Sequence, residues 1–176
     1  QQSLRRVLRE VRPEDVDFDI AVKTACGGRF IATIKRNGVC KVRGVEQGCF
    51  EDPTLDGEDF NYYAHVSKFS SIRMALFRKD RAQRVIVTID ISTAFLQSHK
   101  YLPHEAKRYI KFKDPLNKGR WIYYEILGPI YSQRSAPVRW EDCIAGWLTD
   151  SMGFERGENE PCAYYHPGWD ILILIY

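Results

Sequence analysis

Apolar and polar residues follow two strand-like patterns in the first half of the chain. Residues 30–45 form two strand-like runs on either side of Asn37-Gly38, and Asn-Gly between two such runs is the strongest short signal for a β-hairpin. Because alternate side chains of a strand share a face, Lys41 and Arg43 are predicted to project from the same side of this hairpin. Residues 85–91 are instead almost continuously β-branched, which predicts a strand buried on both faces.

The remaining elements are predicted from helical spacing and from residues that begin or end helices. Ser70 and Ser71 are suited to cap a helix over residues 72–79, and Gly153 is suited to end a second helix over residues 137–152. Other predictions are a weakly structured segment over 1–29, a loop over 46–62, a short helix over 92–97, and strands over 109–112, 121–127 and 171–175. This irregular mix of strands and helices predicts an α+β fold.

The distribution of charge changes this picture more than its sum does. The chain has 176 residues, enough for one domain, and a net charge of only +3. Residues 68–84 carry six basic side chains against one acid, and residues 100–120 carry seven against two. Such segregation can steer a polyanion to one side of a molecule, and it is equally typical of two solvated helix faces.

The five cysteines show neither a zinc-binding spacing nor a disulfide framework, because their number is odd and no C-x-x-C occurs. They predict a reducing, intracellular compartment. No signal peptide is recognisable at the start of the sequence. The longest apolar run, at residues 171–176, is far too short to span a membrane, so no membrane partner is expected.

Asp90 is the residue with the clearest chemical interest, since it ends the most apolar predicted strand. A carboxylate withdrawn from water costs several kcal/mol unless hydrogen bonds or opposite charge compensate it. A divalent cation would satisfy it, because Mg²⁺ takes one or two carboxylates together with substrate phosphates. The alternative is that Asp90 caps the short helix predicted to begin at Ser92. The residues alone leave both interpretations open.

Six short segments, in order, resemble the reverse transcriptases of copia-type LTR retrotransposons. The segments are 36–48 (similar to "NG…KARLVARG"), 66–73 ("VVKLTTIR"), 89–96 ("MDVKTAFL"), 130–140 ("LYGLKQAPRAW"), 153–162 ("GF…SDPC") and 171–176 (the strand that ends in "YVDD"). The likeness runs from about Phe30 to the last residue. It implies a reverse-transcriptase domain of fingers and partial palm over residues 30–176, with an antiparallel sheet packed on helices.

The resemblance also implies a metal site. Asp90 matches the first catalytic aspartate of the family, which binds both Mg²⁺ (or Mn²⁺) ions, and Ile91 matches the residue whose backbone carbonyl binds one of them. In the two-metal scheme, one ion activates the primer 3′-hydroxyl and the other holds the triphosphate and the leaving pyrophosphate.

Five further residues match positions that contact the incoming nucleotide. Lys41 and Arg43 fall on the fingers hairpin, where cations neutralise phosphate charge. Phe95 falls on the steric gate, where a ring under the sugar excludes a 2′-hydroxyl. Tyr131 and Arg134 fall in the segment beside nucleotide and template. Without the resemblance, Phe95 is more typical of a core aromatic, and the two hairpin cations are more typical of a solvated edge.

The sequence departs from the family at several positions. Gln47 replaces an arginine, Ser132 a glycine and Ser135 a glutamine, and a Cβ at Ser132 is expected to narrow the nucleotide pocket. The chain ends at Tyr176, where the family continues into two aspartates. Because one carboxylate cannot hold two metal ions, this chain alone is expected not to polymerise.

The resemblance therefore predicts a fragment of an RNA-directed DNA polymerase. Its expected partners are an RNA or DNA template with primer, deoxynucleoside triphosphates, and other parts of the retrotransposon polyprotein. Its expected location is a cytoplasmic virus-like particle or the nucleus. The alternative is a non-catalytic nucleic-acid-binding remnant of the same domain. A different metal-dependent enzyme is disfavoured, because the four histidines lack ligand spacing.

Overall fold

A computed structural model describes residues 4–82 and 85–176. The described chain has a mixed α+β structure with three α-helices and mainly antiparallel strand pairing, which confirms the predicted α+β class. It divides into two compact units. The first unit comprises Gln1–Tyr62 with Thr93–Trp140, and the second comprises Tyr63–Ser92 with Glu141–Tyr176.

The first unit is built on a five-stranded sheet. Its strands are β1 (Leu8–Val11), β2 (Cys26–Ile34), β3 (Cys40–Glu46), β4 (Arg108–Lys113) and β5 (Trp121–Ile126), in the order β1-β5-β4-β2-β3. Every pairing is antiparallel except that of β2 with β4. The β2–β3 pair is the hairpin that Asn37-Gly38 predicts, and Gly38 adopts the positive φ of 77° that such a turn favours.

The first 29 residues, which the sequence predicts to be weakly structured, contain short regular elements in the part that the structure describes. Leu4–Arg6 forms a 3₁₀ turn, β1 adds an edge strand to the sheet, and helix α1 (Phe18–Thr24) follows. The boundary predicted at residue 30 falls inside β2. Single-sequence patterning misses these elements because they are short and gain their stability from the sheet they join.

Apolar side chains pack on both sides of this sheet. One core contains buried residues of the sheet and of neighbouring loops, namely Val7, Leu96, Ile110, Phe112, Ile126 and Ile130. The other core lies beneath α1 and contains Val11, Ala21, Ala25 and Tyr109. The Phe18 and Tyr123 rings meet edge-to-face at 5.7 Å and fix α1 over that end of the sheet.

The second unit contains helix α2 (Phe69–Ala82) and a three-stranded antiparallel sheet in the order β6-β7-β8. Its strands are β6 (Glu155–Arg156), β7 (Ala163–His166) and β8 (Ile171–Leu174). The boundary between the units falls inside helix α3 (Ala136–Gly146), which runs on into a π-helical turn at Trp147–Ser151. Gly153, with a φ of 72°, follows the turn as predicted.

Both predicted helices are therefore confirmed, and so are the strands at 109–112, 121–127 and 171–175. The short helix at 92–97 is present as a 3₁₀ turn at Ala94–Gln97. The predicted loop at 46–62 contains two further 3₁₀ turns, Gly48–Phe50 and Pro53–Asp56. Trp147, at the start of the π-helical turn, is half exposed. Part of the basic stretch at 68–84 lies outside the described side chains.

The strand predicted at residues 85–91 is wrong. The segment has no regular secondary structure and is exposed throughout, with Val85 at 86% and Ile89 at 80% of full exposure. The resemblance implies that this segment lies beside residues 171–176 in one sheet, but among the described residues β8 pairs with β7 and not with residues 85–91. A β-branched run favours extended backbone but becomes a strand only when a partner completes its hydrogen bonds.

The sheet core gives a first prediction. Ile110 is fully buried, whereas Ile34 on the hairpin is 79% exposed. Replacing Ile110 by Ala leaves a cavity and should lower the free energy of unfolding by about 2–5 kcal/mol, measured by urea denaturation. The control substitution Ile34→Ala should change it by less than about 0.5 kcal/mol. Equal effects of the two substitutions would contradict the placement of the core.

Candidate functional site

Lys41 and Arg43 lie on β3 as predicted, and their side chains share one face of the hairpin. Lys41 is paired with Thr33 and Arg43 with Ile31, so the two cations alternate with residues of the opposite face. Both side chains are half-buried. The hairpin therefore presents two cations side by side with restricted freedom, an arrangement suited to neutralising a bound phosphate group.

Tyr131 connects this hairpin to the segment that contains Phe95. Its backbone forms a parallel bridge with Val45, and the Glu46 amide donates a hydrogen bond of 3.0 Å to the Tyr131 carbonyl. The rings of Tyr131 and Phe95 meet edge-to-face with centroids 5.7 Å apart. Arg43 precedes Val45 by two residues, which is about 7 Å along a strand. Three segments that are distant in sequence thus converge at the end of β3.

Ser132 stands where the resemblance expects glycine, and its backbone explains that expectation. Its φ is +70°, in the left-handed region that glycine adopts without cost. The Ser132 carbonyl also approaches Gly48 so closely that a Cβ built on Gly48 would lie 2.0 Å from the oxygen. The turn beside Tyr131 therefore depends on Gly48 and carries backbone strain at Ser132.

Arg134 holds this turn in place and remains exposed. Its Nε donates to the Gly48 carbonyl at 3.0 Å, and its backbone amide donates to Glu51 Oε2 at 3.0 Å. The side chain is exposed to solvent, so part of the guanidinium stays accessible to an anion. Arg134 thus positions the loop and offers a cation beside Tyr131.

Asp90 lies in an environment different from the one expected. Asp90 and Ile91 belong to the irregular exposed segment of the second unit instead of the tip of a buried strand. An exposed carboxylate keeps its hydration and needs no cation to offset a cost of burial. Asp90 also does not cap the following helix, because Thr93 is the residue that precedes the 3₁₀ turn.

The described residues do not fit a two-metal centre. Among residues 4–82 and 85–176, no group of three His, Cys, Asp or Glu side chains is close enough to hold a metal ion. A magnesium or manganese site at Asp90 and the Ile91 carbonyl therefore stays a prediction from the resemblance.

Two buried carboxylates lie beneath this end of β3, and no sequence pattern predicts them. Glu46 and Glu51 are only 4% and 5% exposed. Burial, reinforced by the charge of Glu51, raises the pKa of Glu46 to about 7. The nearby Cys26 thiol is half-buried beside Glu46, and this burial together with the charge of Glu46 raises its pKa to about 12. At neutral pH the junction between β3 and the Tyr131 loop is therefore close to a protonation change.

A buried arginine holds the acidic 48–60 segment against the sheet. Arg108, only 2% exposed, donates from its Nη2 to Asp56 Oδ1 at 2.8 Å and to the Leu55 carbonyl at 2.7 Å. Its Nη1 donates to Glu51 Oε1 at 3.4 Å. Burial by itself would raise the pKa of Asp56, but hydrogen bonds and charge from Arg108 outweigh burial and hold that pKa low.

Arg139 extends the same network to the start of α3. Its Nη2 donates to Asp56 Oδ1 at 3.2 Å and to Glu105 Oε1 at 2.6 Å. The guanidinium carbons of Arg108 and Arg139 lie 4.5 and 4.6 Å from the ring centroid of Tyr101. We name Arg108, Arg139, Glu51, Asp56 and Glu105 the buried ion network. In the sequence these residues look like parts of a solvated basic stretch and of an acidic loop. In the structure their opposite charges largely neutralise one another.

Comparisons with protein-family models, with curated proteins and with solved structures returned no match. The resemblance to copia-type reverse transcriptases therefore rests on the six sequence segments. Of the described helices, none combines the length and the apolar character needed to cross a membrane.

The buried Glu46 gives a prediction about pH. Its pKa in the folded state is about 7, above the ordinary value of 4.5. Between pH 4.5 and pH 7 the folded state therefore keeps a proton on Glu46 that the unfolded state releases. The stabilising effect of that proton is present below pH 4.5 and is lost as pH rises through 7. Relative to Glu46→Gln, the wild-type free energy of unfolding should fall by roughly 3 kcal/mol across this window.

Urea denaturation at several pH values measures this difference. The matched control is Glu58→Gln, because Glu58 is exposed in the same segment. A pH dependence of the same size in Glu58→Gln would show that the effect is not specific to the buried carboxylate. Parallel curves for wild type and Glu46→Gln would show that Glu46 does not titrate in the folded state as expected.

Proposed function

We propose that this chain is the fingers and partial palm of a copia-type RNA-directed DNA polymerase, and that the described structure binds primer–template and nucleotide without transferring the nucleotide. The observation that carries this proposal is the convergence at the end of β3. The hairpin, the Phe95 turn and the Tyr131 loop each resemble a nucleotide-contacting segment of that family, and all three meet through Val45, Tyr131 and Phe95.

Each residue at this junction has a binding role that follows from its chemistry. Lys41 and Arg43 neutralise triphosphate charge from one face of β3, and the accessible part of the Arg134 guanidinium adds a further positive charge. The Phe95 ring is braced by Tyr131 and limits the space beside the sugar. These contacts bind and orient a nucleotide but move no proton and break no bond.

A second candidate is a nucleic-acid-binding module without any polymerase activity, which shares the same fold and the same cations. The exposed position of Asp90 favours it, because a catalytic carboxylate in this scheme is held among fixed ligands. The two candidates differ in one respect: a longer chain containing the expected aspartates polymerises under the first and does not under the second.

Binding to a labelled primer–template is the direct test. The chain should bind with an affinity that falls steeply with salt, because cations displace counterions from the phosphate backbone. No nucleotide should be incorporated in magnesium buffer. Substituting Lys41→Gln and Arg43→Gln together should weaken binding of a deoxynucleoside triphosphate to the complex with primer–template at least several-fold, because two cations that neutralise the triphosphate are lost. Absence of any binding by the wild type would refute both candidates.

Phe95 provides a test specific to the polymerase candidate. Photolabelling with azido nucleotides in the presence of primer–template should favour the deoxy form, because the ring crowds a 2′-hydroxyl. Phe95→Val should reduce that preference at least several-fold while Phe69→Val, at an exposed aromatic of α2, leaves it unchanged. Equal labelling by ribo- and deoxynucleotides in the wild type would contradict the role of Phe95 and leave the binding-module candidate in place.

A further inference from the structure

We propose that one face of the five-stranded sheet is a platform for single-stranded nucleic acid, in addition to the nucleotide-contacting junction at Tyr131. We name it the basic face. It consists of Arg29 on β2, Lys111 and Lys113 on β4 and Trp121 on β5, and it continues onto Lys41 and Arg43 of β3. The nucleic-acid partner is taken from the proposed function, whereas the surface follows from the sheet itself.

The strand register places these side chains on one side. On the hairpin, Arg29 pairs with Val45, and it therefore shares a face with Arg43 and Lys41, two and four residues from Val45. The parallel pairing of Gly27 with Lys111 puts Lys111 on that same face, because Gly27 is two residues from Arg29.

The antiparallel pairing of Lys113 with Trp121 continues the face onto β5. One side of the sheet thus carries a row of basic residues across β3, β2 and β4, with an aromatic ring at its end.

The opposite side of the sheet confirms this assignment independently. A Cβ built on Gly28 would lie 2.6 Å from Phe112 and 2.8 Å from Ile110, so Gly28 faces the buried core. Phe30, two residues on, stacks against Phe112 with ring centroids 4.6 Å apart. Since neighbouring residues of a strand point in opposite directions, Arg29 points away from that core.

The acidic side chains on this side of the sheet form ion pairs with cations that are not part of the basic face. Glu125 accepts from Arg9 at 2.7 Å, and Asp17 is paired with Lys107 at 2.6 Å, both near the end covered by α1. By contrast, within residues 4–82 and 85–176 none of the five cations of the basic face forms an ion pair. Unneutralised charge of one sign concentrated on a sheet face attracts a polyanion.

Trp121 indicates which polyanion the surface suits. The Nζ atoms of Lys111 and Lys113 each lie 5.6 Å from its ring centroid, and the residue is 38% exposed. An accessible aromatic ring beside cations that track a backbone is the arrangement by which proteins hold single strands, since unpaired bases stack on the ring. In a duplex the bases stack on one another, so no unpaired base is available to stack on Trp121.

The experiment measures binding of a fluorescent single-stranded DNA of about 20 nucleotides, longer than the roughly 4–16 that such surfaces cover. Neither primer nor nucleotide is present, so the measurement does not depend on a nucleotide bound beside Tyr131. Fluorescence anisotropy over a series of salt concentrations gives both affinity and salt slope. The matched control carries Lys23→Gln and Lys100→Gln, two exposed lysines outside the strands.

Separate variants test the contribution of the lysine charges and the contribution of the Trp121 ring. Lys111→Gln with Lys113→Gln should make the salt slope less steep by about 1.4, because two phosphate contacts are lost. Trp121→Ala should weaken binding by about 5- to 150-fold with little change in slope. Trp121→Phe retains a ring and should recover most of the affinity, which distinguishes lost stacking from disturbed folding.

The outcomes separate this inference from the proposed function. Unchanged affinity and slope in the Lys111/Lys113 and Trp121 variants, with normal wild-type binding, would overturn the basic face and leave the nucleotide junction intact. Tighter binding to phosphatidylserine vesicles than to the oligonucleotide at equal salt would overturn it in favour of a membrane surface. A wild type that binds neither strand nor primer–template would overturn both proposals.

Discussion

The hydrogen bonds of Arg108 to Asp56 and to the Leu55 carbonyl are the contact on which the first unit depends. They fasten a segment with little regular structure to the central strand β4. Removing one partner of a buried pair leaves an uncompensated charge and costs about 3–5 kcal/mol, much more than the pair adds when intact. The network therefore fixes the position of the 48–60 segment against β4 through the hydrogen bonds that Arg108 donates to it.

That placement in turn sets the geometry beside Tyr131. Glu51 accepts from Arg108 on one side and from the Arg134 amide on the other, so the loop containing Arg134 is positioned by the same carboxylate that completes the buried network. A change in charge beneath β3 is thus transmitted to the residues proposed to contact a nucleotide. The buried ion network lies on one side of the sheet, and the accessible cations lie on the other side beside the part that α1 covers.

Much of the fold could be predicted from the sequence where the signal is local. Asn37-Gly38 predicts the hairpin because the turn itself requires those residues, and helix periodicity predicts α2 and α3 because each helix satisfies its own backbone. The strand at 85–91 was predicted incorrectly since a strand depends on a partner that its own residues cannot specify. The buried ion network could not be predicted for the same reason, because its partners are distant in sequence. Its members are up to 88 residues apart (Glu51 to Arg139), and each looks like a surface charge in the sequence. Of the candidate site, Phe95, Tyr131 and Arg134 lie around one junction at the end of β3. Arg43 and Lys41 lie two and four residues from Val45 along that strand, whereas Asp90 lies on an exposed segment.

The exposed 85–91 segment has a consequence for how the chain behaves at high concentration. A β-branched run open to solvent is the composition from which cross-β stacks form, with identical residues of successive chains about 4.8 Å apart. Asp90 interrupts this run with a charge, and stacked carboxylates at that spacing repel one another, so the residue acts as a gatekeeper against self-association. Any neutral substitution at Asp90 therefore alters the colloidal stability of the chain along with whatever chemistry the carboxylate performs.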